Sequence, residues 1–359
     1  MTRNSQAARV LDPRADDAFA PAAGGAIMMR RVSEGLAIMP EGMDLEHGGR
    51  LESVEIAWRL VGPEEAPVVA VMGGISAHRH VAGGDDVPGW WSALVGPGAG
   101  IDTERFRVLS FDWLGGSDGT TGPAADDDPA RSFPAVSPFD QAAVLARLAE
   151  QLGICRFRAV VGASYGGMVG LAFAARYARR LERLVVLSAA HEPHPLATAW
   201  RSVQRNVVRM GLAHGAGRDA LAIARGLAMT TYRSQREFGS RFAGEPVADG
   251  DRFRFPVDGY LEAHGERFAA RVRPEAYLCL SESIDLQRVP PGDVRTPTTL
   301  VAVRNDLLVP VDQMRELEAG LAGPCGLLEI DSLYGHDAFL KEDTLLAPLF
   351  IETLEGGRS

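Results

Sequence analysis

The chain has 359 residues, of which 46% are hydrophobic and 23% are charged, and its formal net charge at pH 7 is −10. This composition is typical of a globular protein, and the length suits a single α/β domain with an inserted cap as well as two average domains. The negative charge argues against a nucleic-acid partner, because phosphate binding needs clustered cationic side chains. The three cysteines are far apart and lack the spacing of disulfide frameworks or zinc sites, which suits a reducing compartment.

The beginning of the chain is rich in Ala, Asp, Arg and Pro, which predicts a poorly ordered N-terminal arm over residues 1–30. This segment has no apolar core of the kind that a secretion signal needs, and no apolar run in the chain reaches the ~18 residues of a membrane span. We therefore expect a cytoplasmic protein without a membrane partner.

Apolar runs bounded by turn residues recur in the first half of the chain and again near its end. They lie at residues 66–74, 105–113, 157–163, 181–189 and 297–306. Continuous runs of this kind indicate strands that are buried on both faces, and hence a parallel sheet. Helical patterns at 139–153 and 166–180 alternate with these runs, so the sequence predicts a mostly parallel, doubly wound α/β fold.

The alternation of strands and helices breaks after Ala190. From there the pattern is helical and contains no buried-strand run until the run at 297–306. We interpret residues 191–290 as a helical cap inserted into an α/β core that consists of 31–190 and 291–359. Such a cap would lie over the carboxyl ends of the strands, where open α/β sheets bind their ligands.

The stretch GASYG at residues 162–166 matches the pattern Gly-x-Ser-x-Gly and stands between an apolar run and a helical pattern. Its glycines could serve only a tight turn and close packing. In this context, however, the pattern is typical of a turn that presents its serine, here Ser164, as a nucleophile. An acid and a histidine should then follow, each after a later strand. Asp306 ends the run at 297–306. The stretch GLLEIDSLYGH at 326–336 indicates a last strand and its following turn, and His336 lies at its end.

We therefore predict a catalytic triad in which His336 accepts the proton of Ser164 and Asp306 orients the imidazole. The alternatives are a turn-capping role for Asp306 and a surface-loop position for His336. The oxyanion hole is predicted at the backbone N–H groups of Tyr165, directly after the serine, and of Ile75, in the loop after the run at 66–74. The histidine pairs lack metal-ligand spacing, so no metal is expected.

Several longer motifs carry a resemblance to a known family over about residues 45–345. They are GGISAHRHVAGG, GWWSALVGPG, GASYGGMVGLAFAARY, SAAHEPHPLATAWRSVQR, YRSQREFGSRF, VDGYLEAHGERFAARV and YGHDAFLKE. In these motifs the chain resembles the homoserine O-acyltransferases of the α/β-hydrolase superfamily. The forms GGISAHRHVA and HEPHPLATAW are most similar to the succinyl-transferring branch. Tyr165 departs from many acetyl-transferring relatives, which have Leu or Met there.

The resemblance implies an α/β-hydrolase fold and the same three catalytic residues. It also implies that Arg225 binds the substrate with the support of Tyr232, and that Asp337 binds it as well. The residue chemistry agrees, because Arg225 is a lone cation on a largely apolar helix and needs a partner. Its guanidinium suits an amino-acid carboxylate, and the carboxylate of Asp337 suits an ammonium group. A solvated helix face for Arg225 and a loop-capping role for Asp337 remain the alternatives.

These features predict an enzyme that moves a succinyl group from succinyl-CoA to the side-chain hydroxyl of L-homoserine, a step of methionine biosynthesis, by a ping-pong mechanism. Acyl-CoA is expected as a co-substrate, and no other cofactor is expected. The alternatives are an acetyl-CoA-dependent homoserine or serine O-acetyltransferase and an esterase or thioesterase of the same fold. The resemblance also implies a homodimer joined through cap helices.

Arg304 is our sequence-based candidate for donor specificity. Side chains two residues apart on a strand point the same way, so Arg304 should face the active site if Asp306 does. A cation there would attract the free carboxylate of a succinyl group. The alternative is that the chain has already turned at Asn305 and that Arg304 reaches solvent or a surface acid.

Overall fold

The computed structural model describes residues 32–83, 88–124 and 133–356. The arm predicted for residues 1–30 lies outside these ranges. Fourteen strands are present in the described residues: β1 (Val32–Met39), β2 (Met43–Asp44), β3 (Arg50–Leu51), β4 (Val54–Val61), β5 (Val68–Met72), β6 (Val95–Gly96), β7 (Ile101–Asp102), β8 (Arg107–Phe111), β9 (Ala159–Ala163), β10 (Leu184–Leu187), β11 (Val247–Asp249), β12 (Arg252–Arg254), β13 (Thr298–Val303) and β14 (Cys325–Ile330).

Helices connect most of the longer strands. Within the described ranges the α-helices are α1 (Pro138–Gln151), α2 (Tyr165–Arg176), α3 (Pro195–Ala213), α4 (Gly217–Tyr232), α5 (Gln235–Phe242), α6 (Asp258–Ala269), α7 (Pro274–Asp285), α8 (Val311–Gly320) and α9 (Asp343–Glu355). A 3₁₀ helix, Gly335–Leu340, follows the last strand.

The main sheet has eight strands in the order β1-β4-β8-β5-β9-β10-β13-β14. β1 and β4 are antiparallel to their neighbours, and the strands from β8 to β14 in this order run parallel to one another. β9 and β10 lie at the centre, and all their residues are buried. The predicted α/β fold with a mostly parallel sheet is therefore confirmed.

The central strands are buried on both faces because apolar side chains point alternately to opposite sides of the sheet. On one face, Val160 and Val186 pack in a core with side chains of α1, α2 and α8. On the other face, Val161 and Val185 pack in a second core with side chains of α9, among them Phe350. This double burial explains why these strands have uninterrupted apolar sequences.

Helices α3 to α7 lie between β10 and β13 in the chain, and the short hairpin of β11 and β12 lies among them. They have a small core of their own, which includes Val208 of α3, Leu221 of α4, Phe268 of α6 and Tyr277 of α7. We refer to these five helices and the hairpin as the cap. The described residues contain no helix that is both long and apolar enough to cross a membrane.

Candidate active site

Ser164 stands in the sharp turn between β9 and α2, and its backbone has φ 53° and ψ −120°. Few non-glycine residues adopt a positive φ, and such strain is concentrated at functional sites. The glycines around it are required by close packing. A Cβ on Gly162 would overlap the backbone of Gly166, and a Cβ on Gly166 would overlap the backbone of Met72. The glycines thus serve both the tight packing of α2 on the sheet and the exposure of the serine.

Ser164, His336 and Asp306 form one hydrogen-bonded chain. His336 Nε2 lies 2.8 Å from Ser164 Oγ, and His336 Nδ1 lies 2.7 Å from Asp306 Oδ2. The other oxygen of Asp306, Oδ1, accepts the N–H groups of Leu308 at 2.8 Å and Val309 at 3.1 Å. Asp306 therefore caps its turn and also orients the histidine. The structure brings together the three residues that the sequence proposed, in the geometry of a nucleophile, a base and an orienting acid.

The electrostatics of His336 suit a base that becomes charged during a reaction. Burial disfavours the imidazolium, but the charge and the hydrogen bond of Asp306 outweigh it, so the pKa of His336 lies above its ordinary value. His336 and Asp306 are both only 5% exposed. Bulk water therefore has little access to this pair, and the interaction between the two side chains is correspondingly strong.

The two predicted oxyanion donors come from two segments next to the nucleophile, the start of α2 and the loop after β5. Tyr165 begins α2, so its N–H is one of the free groups of the helix N-terminus. Ile75 follows β5, the neighbour of β9 in the sheet, and lines the same cavity as Ser164. Neither N–H group donates a hydrogen bond to any other described residue. Both are therefore available for a negatively charged oxygen.

The hydroxyl of Ser164 opens into a cavity of about 250 Å³ between the sheet and the cap. Its lining includes Gly74, Ile75, His78, Trp90, Ser188, Trp200, Arg201, Arg225, Tyr232, Tyr277, Ile284, Leu308, Val309, His336, Asp337 and Phe339. His78 contributes no charge near neutral pH, because burial together with the neighbouring Arg271 lowers its pKa to about 4. The cavity combines apolar walls with a few polar groups, as is usual for small-molecule sites.

Arg225 and Tyr232 meet on one face of α4, as their spacing of seven residues predicts. The Arg225 guanidinium lies 5.0 Å from the centre of the Tyr232 ring and 4.7 Å from that of Phe268. Its Nε is buried and makes no hydrogen bond to another described residue. Arg225 is thus a cation that is held by aromatic rings and points into the cavity without a carboxylate partner among the described residues.

Asp337, next to His336 in the 3₁₀ helix, also lines the cavity. Its Oδ2 lies 3.3 Å from Arg233 Nε, and Arg233 in turn lies 3.4 Å from Glu237 Oε1. Burial raises the pKa of Asp337, although the cations Arg233, His336 and Arg225 act in the opposite direction. Sequence reasoning did not identify Arg233, which follows Tyr232 directly and fixes Asp337.

Sequence reasoning also missed Arg201 on α3. Its Nε and Nη2 lie 2.9 and 2.6 Å from Asp285 Oδ1, while Arg205 Nη1 lies 2.6 Å from Asp285 Oδ2. Two guanidinium groups therefore share one carboxylate, which leaves an excess positive charge at the cavity wall. The hydrogen bonds of Arg201 are made by its Nε and Nη2, so its Nη1 has no partner among the described residues. Residues four apart on a helix share one face, but the spacing of Arg201 and Arg205 does not reveal which groups that face contacts.

The structure contradicts the interpretation of Arg304 as a donor-binding residue. β13 ends at Val303, so the alternation of side chains along the strand does not extend to Asp306. The Arg304 side chain is 59% exposed, and its Nε lies 3.1 Å from Glu329 Oε2. It does not line the cavity. Its positive charge lies at the surface beside an acidic side chain, which is the alternative that the sequence analysis gave for Arg304.

The comparisons with known proteins agree with this geometry. The family model described as "alpha/beta hydrolase fold" matches residues 73–343. A homoserine O-succinyltransferase of Xanthomonas campestris pv. campestris is 43% identical over 92% of this chain and 83% of its own. The chain belongs to the homoserine O-acyltransferase family of the α/β-hydrolase superfamily.

Other members of the family differ in donor and acceptor. An L-serine/homoserine O-acetyltransferase of Streptomyces lavendulae is 36% identical over 86% of this chain and 94% of its own. A serine O-succinyltransferase of Frateuria aurantia is 34% identical over 85% of this chain and 94% of its own. The acyltransferase class is therefore common to all these relatives, whereas the acyl group and the amino acid vary among them.

The solved structures with the same fold include enzymes that transfer acyl groups and enzymes that hydrolyse esters. The homoserine O-acetyltransferase of Bacillus anthracis superposes with a TM-score of 0.81 at 19% identity, covering 90% of this chain and 97% of its own. Esterase E22 superposes equally well, with a TM-score of 0.81 at 22% identity over 90% of this chain and 100% of its own. At this level of identity the superpositions establish the fold alone. The fold does not separate acyl transfer from ester hydrolysis.

Proposed function

We propose that this protein transfers the succinyl group of succinyl-CoA to the side-chain hydroxyl of L-homoserine through an acyl-enzyme on Ser164. One observation carries the proposal. The hydrogen-bonded triad of Ser164, His336 and Asp306 opens into the same cavity as Arg225, a cation with no carboxylate partner among the described residues. A plain esterase needs the first of these features but not the second. The 43% identity to a homoserine O-succinyltransferase supports the choice of substrates.

In the first half-reaction, Ser164 Oγ attacks the carbonyl carbon of the thioester while its proton passes to His336 Nε2. The N–H groups of Ile75 and Tyr165 stabilise the oxyanion. The carbon–sulfur bond then breaks, and His336 gives the proton to the departing thiolate. Asp306 keeps the imidazole oriented and stabilises its positive charge throughout.

In the second half-reaction, the hydroxyl of homoserine takes the place of the thiol. His336 removes its proton, the hydroxyl oxygen attacks the ester on Ser164, and the proton returns to Ser164 Oγ as the serine leaves. Arg225 would bind the carboxylate of the amino acid, and Asp337 its ammonium group. Positioning of this kind supplies an effective molarity of ~10⁵ M or more, which lets the bound alcohol compete with water.

The excess positive charge at Arg201 favours a donor that ends in a carboxylate. Burial raises the pKa of Asp285, but the hydrogen bond and charge of Arg201 and the hydrogen bonds of Thr198 and Arg205 outweigh it and lower the pKa, so the carboxyl group is ionised near neutral pH. One carboxylate between two guanidinium groups leaves a net charge of about +1, which a succinyl group would neutralise and an acetyl group would not. Arg201 takes over the role that the sequence had suggested for Arg304.

Free thiol release tests the proposal directly. It would be measured with succinyl-CoA and with acetyl-CoA, each in the presence of homoserine, serine or no acceptor. We expect the highest kcat/KM with succinyl-CoA and homoserine, and no release by the Ser164→Ala variant. Equal release without any acceptor would identify a thioesterase. A preference for serine or for acetyl-CoA would assign the chain to the corresponding relatives instead.

We also propose that the protein is a cytoplasmic homodimer joined through the cap. Leu196, Val203 and Met210 of α3 are 50%, 53% and 62% exposed and stand seven residues apart, so they share one helix face. An apolar stripe of this kind is typical of a helix–helix interface. Light scattering of the purified protein tests it: we expect the mass of two chains, and the mass of one chain after Val203→Glu and Met210→Glu together.

A further inference from the structure

Ser188 shares an unusual backbone conformation with the nucleophile. Ser164 and Ser188 are the two non-glycine residues with positive φ among those described, at 53° and 48°. They also lie side by side. β9 and β10 are adjacent and parallel with Leu187 opposite Ala163, so Ser188 directly follows one strand where Ser164 directly follows the other. The N–H of Ser164 donates to Leu187 O at 2.8 Å, directly before Ser188.

Among the described residues, the side chain of Ser188 has no hydrogen-bond partner that would account for a serine in this conformation. Ser188 is 2% exposed and lines the cavity, and its Oγ makes no hydrogen bond to another described residue. Its backbone N–H is held by Val301 O at 3.0 Å. Glycine adopts a positive φ without strain, so a residue chosen only for the turn would be glycine. Glycine would satisfy the backbone at this position, so the hydroxyl is what Ser188 adds.

The order of the strands defines which part of a ligand Ser188 faces. β9 lies between β5 and β10, so the oxyanion loop with Ile75 and the turn with Ser188 flank the nucleophile on opposite sides. When the carbonyl oxygen of an acyl group on Ser164 points to Ile75, the remainder of the acyl chain can extend toward Ser188. Neighbouring strands are about 4.8 Å apart, a span that the two methylene groups of a succinyl chain bridge.

The lining of the cavity that Ser188 faces suits a short acyl chain with a charged end. Trp200, Ile284 and Leu308 provide apolar walls, and Arg201 provides the free Nη1 and the excess positive charge. Arg201 is also near enough to the triad for its charge to act on His336. A carboxylate bound by Arg201 can accept further hydrogen bonds, and the Ser188 hydroxyl is a donor in the same cavity that no other described residue engages.

We propose that Ser188 Oγ donates a hydrogen bond to the terminal carboxylate of the donor's acyl group, and that Ser188 is thereby a donor-specificity residue beside Arg201. The inference rests on the proposed function, since it needs a donor with a carboxylate. It adds that the strained turn after β10 holds a substrate-binding hydroxyl at a fixed distance from the nucleophile.

Two substitutions separate the hydroxyl from the backbone conformation. Ser188→Ala removes the hydroxyl and keeps the strain, whereas Ser188→Gly removes both. Ser240→Ala serves as the control, because Ser240 lies on α5 outside the cavity and its Oγ donates to Glu237 O. Each variant would be assayed with homoserine and with succinyl-CoA or acetyl-CoA, and its thermal unfolding would be recorded.

We expect both Ser188 variants to lose about tenfold in kcat/KM with succinyl-CoA and less than twofold with acetyl-CoA. Ser188→Gly should unfold at a temperature no lower than the wild type. A wild-type preference for succinyl-CoA that both variants retain in full would overturn the role of Ser188 and leave the proposed function intact. An equal loss with both donors would overturn it as well. A wild-type preference for acetyl-CoA would overturn the proposed donor and the role of Ser188 together.

Discussion

The hydroxyl groups of Tyr165 and Ser283 lie 2.6 Å apart, and this hydrogen bond joins the turn of the nucleophile to helix α7 of the cap. Tyr165 is 1% exposed and packs edge to face on Trp113, with ring centres 4.9 Å apart. Its backbone N–H is a predicted oxyanion donor, so the side chain fixes a residue whose main chain faces the substrate. The cap thereby contacts the catalytic turn directly.

Tyr165→Phe should therefore destabilise the protein by about 1–2 kcal/mol, because it leaves the buried Ser283 hydroxyl without its partner. Ser283→Ala should cost a similar amount for the same reason. The double variant should cost less than the sum of the two, since neither hydroxyl is then left unpaired. Denaturant unfolding of the four proteins measures this coupling. Strict additivity would show that the contact contributes nothing to stability.

The pH dependence of acyl transfer should follow His336, which acts as a base only when it is neutral. Because its pKa is raised in the folded protein, the acidic limb of kcat/KM should have its midpoint above pH ~6.5. Asp306→Asn removes the charge that raises this pKa, so the limb should move to lower pH while kcat falls by about 10⁴-fold. A limb that stays in place in Asp306→Asn would mean that another group controls it.

The catalytic residues could be predicted from the sequence because their positions depend on local patterns and chain order. The turn around Ser164 has its own motif, and Asp306 and His336 each follow a strand that an apolar run reveals. The shared face of Arg225 and Tyr232 follows from helix geometry alone. In each case the information needed lies within one element or at its end.

The contacts that were missed join elements distant in the chain. Arg201 and Asp285 are 84 residues apart, and their pairing depends on how α3 packs on α7. Tyr165 and Ser283 are 118 residues apart, and no local pattern relates them. Arg304 was misplaced for a different reason: strand alternation was extended past Val303, where β13 ends. A period of two holds only while the chain remains a strand.

Arg225→Ala should impair the use of the acceptor far more than that of the donor. The loss of a charge-assisted contact to the amino-acid carboxylate costs about 2–4 kcal/mol, or roughly 30- to 1000-fold in kcat/KM for homoserine. Formation of the acyl-enzyme, followed by intact-mass measurement without acceptor, should survive. Arg218→Ala is the matched control, since Arg218 is an exposed arginine of the same helix outside the cavity. An unchanged kcat/KM for homoserine would remove Arg225 from the site.

Arg201 and Arg304 offer a direct comparison of two arginines proposed for the same task. Arg201→Ala removes the free Nη1 from the cavity wall, while Asp285 keeps Arg205 at 2.6 Å as a partner. We expect the ratio of kcat/KM for succinyl-CoA over acetyl-CoA to fall by about ten- to a hundredfold. Arg304→Ala removes an exposed partner of Glu329, which retains Arg315 at 2.7 Å, and should leave the ratio unchanged. If Arg304→Ala lowers the ratio and Arg201→Ala does not, the donor's carboxylate binds elsewhere than at the wall formed by α3.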